Sequence, residues 1–182
     1  MKVALFGGTG FVGSYIIDEL IKSNHKPKLL VREGSEKKLL QADSCEVIPG
    51  NLGDAKALKK TISKADVVIY SIGLVREFPR KGITFQETQF DGVKQTVDIA
   101  IECGIKKYVL VSANGAKLDG TKYQSTKYLA EEYLKHSDLD WTIFRPSLCF
   151  GDPRGGGRPE FCTQLKRDML NLPIPSPNFH TG

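Results

Sequence analysis

The sequence predicts an α/β protein, built on a doubly wound parallel sheet with helices on both faces. Apolar runs of strand length alternate with segments of helical periodicity along residues 3–149, which is typical of successive βαβ units. The first apolar run leads into a cluster of glycines that opens the first helical segment, as at the ligand-binding turn of such a sheet. These observations predict the strand order 3-2-1-4-5-6.

Each predicted strand is a short, nearly continuous apolar run, as expected where a parallel sheet is covered on both faces. Trp141, in the last run, is expected to be a core residue rather than a stacking platform for a ligand. The six segments are 3–7, 27–32 (PKLLVR), 45–50 (CEVIPG), 65–73 (ADVVIYSIG), 107–113 (KYVLVSA) and 140–149 (DWTIFRPSLC).

The predicted helices lie between and after these strands. The first has apolar side chains at steps of three and four residues, which define one buried face, at Phe11, Val12, Tyr15, Ile16, Leu20 and Ile21. The full set is 11–23, a short segment at 35–42, 54–63, a long helix at 84–103, 121–136 and 160–171.

Size and composition predict one main globular domain. A chain of 182 residues is long enough to bury about 70% of its unfolded surface. The net charge of +5 suits an anionic ligand, but the lysines are dispersed and the densest basic patches, Lys59–Lys60 and Arg76/Arg80/Lys81, lack interleaved aromatics. A solvated face is therefore favoured over a nucleic-acid surface.

Further features predict a soluble cytoplasmic protein without a metal site. The four cysteines show no C-x-x-C spacing and are expected to be reduced. The three histidines have no metal-ligand spacing, and no apolar run approaches the length of a membrane span. The apolar stretch at the N-terminus is too short for a signal peptide.

The segment GGTGFVG at 7–13 is the strongest functional signal. Its first glycines permit a tight turn, and Gly10 leaves room for a pyrophosphate at the helix N-terminus, where unpaired N–H groups favour an anion. Gly13 lets the helix pack close to the strand. A flexible loop is the alternative, but the position between strand and helix favours a dinucleotide site. The predicted contacts are Gly7, Gly8, Thr9, Gly10, Phe11, Val12 and Gly13.

More candidate cofactor contacts follow the next three strands. Arg32 stands where an acid selects NAD, and an arginine favours the 2′-phosphate of NADP, unless it is a plain surface residue. Asn51, in GNLGD, can donate to and accept from an adenine edge, with Leu52 against the ring, unless this is an ordinary polar turn. The SIG segment either lets the cofactor approach the backbone closely or forms a simple turn. Its residues are Ser71, Ile72 and Gly73.

A second cluster of candidates comprises Ser112, Tyr123 and Lys127. Ser112 ends the fifth predicted strand, and the other two, in YQSTK, lie four residues apart on one face of the next helix. A phenol is a poor base at neutral pH, but a nearby ammonium lowers its pKa. The serine hydroxyl can hold a substrate carbonyl or alcohol beside it, so the three residues form a candidate acid/base set. A chance Tyr–Lys pair is the alternative.

The chain resembles an extended or atypical short-chain dehydrogenase/reductase over residues 1–151. The resemblance rests on GGTGFVG, GNLGD, Ser112, the Tyr123–Lys127 pair and FRPS at 144–147. It is greatest to the subgroup that includes NmrA-like proteins, the nucleotide-binding accessory subunit of respiratory complex I, and related plastid and cyanobacterial assembly factors. It implies a Rossmann fold in which Tyr123 is the acid/base, Lys127 binds the nicotinamide ribose, and Ser112 orients the substrate.

The resemblance also implies that the segment matching RPS passes the nicotinamide end of the cofactor. Asn51 departs from the family, which usually has an aspartate there, and most members continue well beyond the length of this chain. Residues 152–182 are therefore expected to be the Gly/Pro-rich start of a small, truncated substrate-binding region. The additional cofactor neighbours are Pro146, Ser147 and Leu148.

Two functions remain open from the sequence. The first is an oxidoreductase that prefers NADP(H) to NAD(H) and acts on a small carbonyl or alcohol substrate, which the Ser112, Tyr123 and Lys127 set favours. The alternative is a non-catalytic NAD(P)-binding redox sensor or assembly subunit with a protein partner, which the short second region and the subgroup resemblance favour. Epimerisation and dehydration are further reactions of the same superfamily.

Overall fold

The computed structural model describes residues 1–154 and 160–171. Its strands are β1 (Lys2–Phe6), β2 (Lys26–Val31), β3 (Glu46–Pro49), β4 (Val67–Tyr70), β5 (Lys107–Val111) and β6 (Asp140–Phe144). They form one sheet in the order β3-β2-β1-β4-β5-β6, and every neighbouring pair is parallel. The predicted doubly wound topology is confirmed.

The helices lie between the strands and on both faces of the sheet. They are α1 (Phe11–Lys22), α2 (Ala55–Ile62), α3 (Gly92–Glu102), α4 (Lys122–Lys135) and α5 (Phe161–Leu170). Three begin at side-chain caps: Asp54 accepts the N–H groups of Lys56 and Ala57 at α2, Thr121 and Gln124 form a reciprocal capping box at α4, and Glu160 accepts two N–H groups at α5. The capping box fixes where α4 starts, and with it the register of the candidate catalytic residues.

The core lies on both faces of the central strands. Neighbouring side chains of β1 point to opposite faces, so Phe6 belongs to a large cluster with Tyr70 and Val97, while Leu5 packs with Ile17 of α1 in a smaller one. All of these residues are buried. Because the sheet is covered on both sides, the carboxyl ends of its strands are where a ligand can reach the backbone.

Several predicted boundaries are wrong. The segment at 35–42 contains one 3₁₀ turn, Glu36–Lys38, instead of a helix, and a second, Ala42–Ser44, begins at its end. The long helix at 84–103 opens with a π-helical turn, Gln86–Asp91. The strand expected at 65–73 is shorter at both ends and comprises only Val67–Tyr70.

The last strand also differs from its prediction. It ends at Phe144 rather than 149, because Pro146 has no N–H to donate and restricts the residue before it. As the edge of the sheet, β6 is largely exposed, and Trp141 retains 40% of its surface. The expectation of a core tryptophan is therefore wrong. In the second predicted region, α5 agrees with the helix at 160–171, whereas 155–159 and 172–182 lie outside the described residues.

Candidate functional site

The glycine turn assigns a different task to each glycine. Gly7 has a φ of +95°, and a Cβ there would lie 2.8 Å from the backbone of Ser71. A Cβ at Gly13 would collide with the backbone of Gly7, whose carbonyl carbon would be 2.7 Å away. Gly10 is different, because its Cβ would meet only the Gly7 carbonyl oxygen, at 3.2 Å. Gly7 and Gly13 are thus needed to form the turn, while Gly10 leaves open space beside it.

The turn suits an anionic ligand such as a dinucleotide pyrophosphate. Helix α1 begins at Gly10 with no side chain capping its first N–H groups, so these donors and the helix dipole face outward. Next to the turn, the buried hydroxyl of Ser71 has no hydrogen-bond partner within the described part of the chain. A buried polar atom without a partner is unusual and fits a missing polar ligand.

The residues predicted to hold the adenine end of a cofactor border a cleft beyond β2 and β3. Asn51 lies in it, but its side-chain oxygen accepts the N–H of Gly53 at 2.8 Å and so stabilises its own turn. Leu52 packs against the core rather than into the cleft. The residues that line the cleft are Arg32, Glu33, Glu36, Pro49, Gly50 and Asn51. The cleft therefore contains one positively and two negatively charged side chains.

Lys127 links two strand ends. Its Nζ donates to the carbonyl oxygen of Val111 at 3.0 Å and lies 3.7 Å from the Cβ position of Gly73. The side chain is almost fully buried, which lowers its pKa to about 8, although the carboxylate of Glu131 acts in the opposite direction. The structure therefore brings Lys127 together with the end of β5 and the predicted cofactor segment after β4.

Tyr123 does not have the activated phenol that the sequence suggested. It is half-buried with its ring edge-on to Phe85, and burial, with a smaller contribution from Cys149, raises its pKa above the ordinary value. The expected lowering by Lys127 is wrong for this structure, because the ammonium donates to the Val111 carbonyl. At neutral pH Tyr123 is protonated and can donate a proton.

Ser112 is bound to a residue that the sequence reasoning missed. Its hydroxyl donates to Oε1 of Glu131, which is fully buried. The same carboxylate accepts hydrogen bonds from two nitrogens of Arg145, and Nε lies 2.9 Å from Oε1. The four-residue step from Lys127 to Glu131 could have placed Glu131 on the same helix face, whereas its pairing with Arg145 joins two separate elements and has no local pattern in the sequence.

Gln89 is a second missed residue. It is buried in the π-helical turn, where its amide nitrogen donates to the carbonyl oxygen of Leu74 at 3.2 Å. Its amide oxygen accepts from the hydroxyl of Thr126, the residue before Lys127, at 3.1 Å. Gln89 therefore ties the segment after β4 to α4, and π-helical turns are common at functional sites. No sequence pattern pointed to it.

The segment after β6 returns towards the glycine turn. The carbonyl of Pro146 accepts the N–H of Asn114 at 2.8 Å, while Ser147 and Leu148 are exposed. Further on, the carbonyl oxygen of Asp152 accepts a hydrogen bond of 3.0 Å from the hydroxyl of Tyr15, a residue of α1. The segment therefore borders the site, and its predicted cofactor contacts remain a prediction.

Other kinds of site find little support. Within residues 1–154 and 160–171, no group of three or more His, Cys, Asp or Glu side chains is placed to hold a metal ion. In the same ranges no helix is both long and apolar enough to cross a membrane. The four cysteines are free.

Known proteins resemble this chain in sequence and in fold. A ceramide reductase of Caulobacter vibrioides is 30% identical over 115 residues, which cover 63% of this chain and 35% of that protein. The mitochondrial NADH dehydrogenase (ubiquinone) 1 alpha subcomplex subunit 9 of Arabidopsis thaliana is 30% identical over 154 residues, covering 81% of this chain and 38% of that protein. The chain thus spans little more than a third of these curated relatives.

A solved structure shows the same fold at lower sequence identity. The Bordetella bronchiseptica enzyme WbmH, in complex with NAD⁺, superposes with a TM-score of 0.73 at 19% identity, covering 86% of this chain and 58% of that one. Residues 7–166 match the family described as NAD(P)H-binding. This match and the glycine turn at the carboxyl end of β1 in a 3-2-1-4-5-6 sheet lead to one conclusion: the chain belongs to the NAD(P)H-binding family and has a Rossmann fold.

Proposed function

We propose that the protein is an oxidoreductase that uses NADP(H) in preference to NAD(H) and acts on a small carbonyl or alcohol substrate. The observation that carries this proposal is the buried ammonium of Lys127, held between the end of β5 and Gly73. A buried ammonium is costly unless it has a partner. Its place between two strand ends, one helical turn from a phenol, suits a cofactor ribose and an acid/base residue.

The residues of this chain have distinct roles in such a reaction. A nicotinamide dinucleotide, when bound, supplies or accepts the hydride. Tyr123, with its raised pKa, holds a proton at neutral pH and donates it to a substrate carbonyl oxygen as that carbon is reduced. The glycine turn and the first N–H groups of α1 bind the pyrophosphate, and Lys127 holds the nicotinamide ribose. Gln89 keeps the segment after β4 in register with α4.

The preference for NADP(H) rests on Arg32. A guanidinium donates charge-assisted hydrogen bonds to a 2′-phosphate, and Ser35 and Lys37 follow closely in the chain. The carboxylates of Glu33 and Glu36 line the same cleft and oppose a phosphate by repulsion. We therefore expect a modest preference for NADP(H).

A second candidate is a nucleotide-binding subunit without turnover. Two observations favour it: a relative at 30% identity is a subunit of a mitochondrial NADH dehydrogenase (ubiquinone), and the Ser112 hydroxyl donates to Glu131 inside the protein. In this case the dinucleotide binds, but the Tyr123 phenol has no substrate to protonate.

The replacement Tyr123→Phe distinguishes the two candidates. If the protein is an enzyme, NADPH oxidation with a panel of small aldehydes and ketones falls by about 10²–10⁴, the usual contribution of a positioned acid. NADPH affinity, measured by calorimetry, stays within about threefold, because the binding contacts lie elsewhere. Tyr128→Phe on the same helix is the matched control and leaves both quantities unchanged.

Two outcomes would contradict the proposal of an oxidoreductase with Tyr123 as its acid. A parent protein that binds NADPH but oxidises it with no carbonyl in the panel favours the non-catalytic subunit. Activity that survives Tyr123→Phe places the acid/base at another residue.

A further inference from the structure

We propose that the loop after β4, residues 75–83, binds the surface of an anionic lipid bilayer. These residues are called the 75–83 tip from here on. The contact is peripheral and does not depend on the oxidoreductase function proposed above, because no residue of the tip belongs to the candidate site. The features that recognise the bilayer are cations placed beside exposed apolar side chains.

The sequence of the tip combines basic and apolar residues. Arg76, Arg80 and Lys81 form one of the two densest basic patches of the chain, and Phe78 lies between them. The expectation that this patch lacks an interleaved aromatic is therefore wrong. The other patch, Lys59–Lys60, differs in this respect, because the exposed residues of α2 are lysines and one alanine. Only the tip offers charge and apolar surface together.

The apolar side chains of the tip are turned to solvent. Val75 retains 68% of its surface and Phe78 retains 47%, although both residue types are usually buried. The guanidinium of Arg76 lies over the Phe78 ring, 5.9 Å from its centroid. An apolar pair with a cation against it suits the boundary between headgroups and acyl chains, where one end of such a group is wet and the other is not.

Hydrogen bonds hold the tip in shape before any partner binds. Phe78 and Ile83 exchange two backbone bonds of 2.8 and 3.3 Å, and Gly82, with a φ of +63°, lies in the turn that they close. At the base, the carboxylate of Glu77 accepts the N–H of Phe85 at 2.8 Å. Glu77 is the only acid in the sequence of the tip, so its charge faces the base and the cations remain in excess.

Size and composition favour a bilayer over a macromolecule. A stable protein–protein interface takes roughly 20–30 residues a side, which is more than the tip supplies. A cation near an anionic bilayer strengthens binding by about fivefold without requiring a fixed partner geometry. Single-stranded nucleic acids stack their bases on aromatic faces. In the tip, Arg76 lies over the one aromatic ring, and the most exposed apolar side chain, Val75, has no ring.

Co-sedimentation with lipid vesicles tests the proposal. The chain is mixed at low salt with vesicles of phosphatidylcholine alone or of equimolar phosphatidylcholine and phosphatidylglycerol. The parent should bind the mixed vesicles at least about tenfold more strongly than the neutral ones. Binding should fall by a similar factor at about 1 M salt, where the Debye length is roughly 3 Å.

Two replacements in the tip separate charge from insertion. Arg80→Glu should weaken binding to mixed vesicles by at least about tenfold, because it removes a cation and adds an anion. Phe78→Ser keeps every charge and should weaken binding by about fivefold or more, because the apolar ring no longer enters the interface. Lys60→Glu, which makes the same charge change in the exposed patch on α2, is the matched control and should stay within about twofold of the parent.

The outcomes decide between specific alternatives. Equal binding to neutral and mixed vesicles, binding to neither, or equal losses for Arg80→Glu and Lys60→Glu in variants folded by circular dichroism would overturn the proposal. Unchanged binding of Phe78→Ser would refute insertion of the tip and leave only attraction of the net positive charge. Binding of a single-stranded oligothymidine that both tip variants abolish, without vesicle binding, would assign the tip to nucleic acid instead. None of these measurements uses a dinucleotide, so a failure of the proposed oxidoreductase function is distinguishable from a failure here.

Discussion

The glycine turn and the cluster of polar side chains around α4, called the α4 site from here on, both lie at the carboxyl ends of the strands. Different chemistry forms them. In the turn, the main chain sets the geometry: Gly7 and Gly13 approach other backbone atoms so closely that no side chain fits. In the α4 site, long polar side chains set it: Lys127 reaches Val111, and Glu131 joins Ser112 to Arg145. One region depends on side chains being absent, the other on several being paired inside the protein.

This difference predicts how the two regions respond to substitution. A single substitution in the turn should abolish either folding or dinucleotide binding, because one added carbon either collides with the backbone or fills the ligand space. The α4 site should respond in parts, because burial, charge and hydrogen bonding make separate contributions to stability and to binding.

Gly10→Val should abolish dinucleotide binding while the protein stays folded. Gly10 has φ −79° and ψ 174°, which any residue adopts, and an added Cβ meets only the Gly7 carbonyl oxygen, at 3.2 Å. The side chain would instead occupy the space in front of the α1 N-terminus. We expect affinity for NADPH to fall by at least about a hundredfold, or about 2.7 kcal/mol, by calorimetry. A folded variant that binds like the parent would show that the pyrophosphate lies elsewhere.

Gly13→Ala is the matched comparison, with the opposite signature. Its Cβ would collide with the Gly7 backbone, which cannot move away without opening the turn. Urea unfolding should show a loss of at least about 2 kcal/mol, at the upper end of overpacking costs. If Gly13→Ala is as stable as Gly10→Val, the division of tasks between the two glycines is wrong.

The contrast also explains what the sequence could predict. The strand order and the glycine turn were predictable because periodicity and glycine spacing are local patterns with direct backbone consequences. The pairing of Glu131 with Ser112 joins an α4 residue to the end of β5, and only the folded chain shows which side chain Ser112 meets. The raised pKa of Tyr123 has the same origin, because it depends on burial in the folded chain and, to a smaller extent, on the nearby Cys149.

Element boundaries failed for a related reason. Periodicity predicted one helix over 84–103, but Gln89 binds Leu74 and Thr126 from a π-helical turn, and tertiary contacts override local propensity. The prediction of a core Trp141 considered the apolar run alone, although the predicted strand order already places the sixth strand at an edge of the sheet, where side chains stay partly exposed.

Lys127→Met should stabilise the protein and weaken binding. Burial lowers the pKa of Lys127 from 10.5 to about 8, so the folded state binds this proton more weakly than the unfolded chain does. Below pH 8 the charge therefore costs stability, by about 3 kcal/mol at one pKa unit per 1.4 kcal/mol. After subtracting about 1–2 kcal/mol for the lost bond to Val111, we expect a net gain of about 1–2 kcal/mol at pH 7, by urea unfolding.

The pH dependence makes this prediction specific. The cost in the parent disappears as pH rises from 8 to 10.5, so the advantage of Lys127→Met should shrink at pH 9.5 and be largest at pH 7. NADPH affinity at pH 7 should fall by about ten- to a hundredfold, because a charge-assisted hydrogen bond to the ribose is lost. Lys122→Met, exposed at the start of α4, is the control and changes neither quantity. If Lys127→Met is less stable than the parent at pH 7, the buried charge of Lys127 does not cost the stability assigned to it.

Arg32→Asp should change which dinucleotide is bound, with the smallest effect of the series. Arg32 is exposed and shares its cleft with Glu33 and Glu36, so solvent and repulsion reduce its contribution to a 2′-phosphate contact. We expect the parent to bind NADPH about tenfold more tightly than NADH in calorimetry at low salt, and Arg32→Asp to remove or reverse that ratio. Glu33→Gln removes a negative charge from the same cleft and should raise the ratio by about twofold. Equal affinities in the parent, or an Arg32→Asp protein with the parental ratio, would mean that Arg32 is a solvated surface residue and that the carboxylates of the cleft set the choice of cofactor.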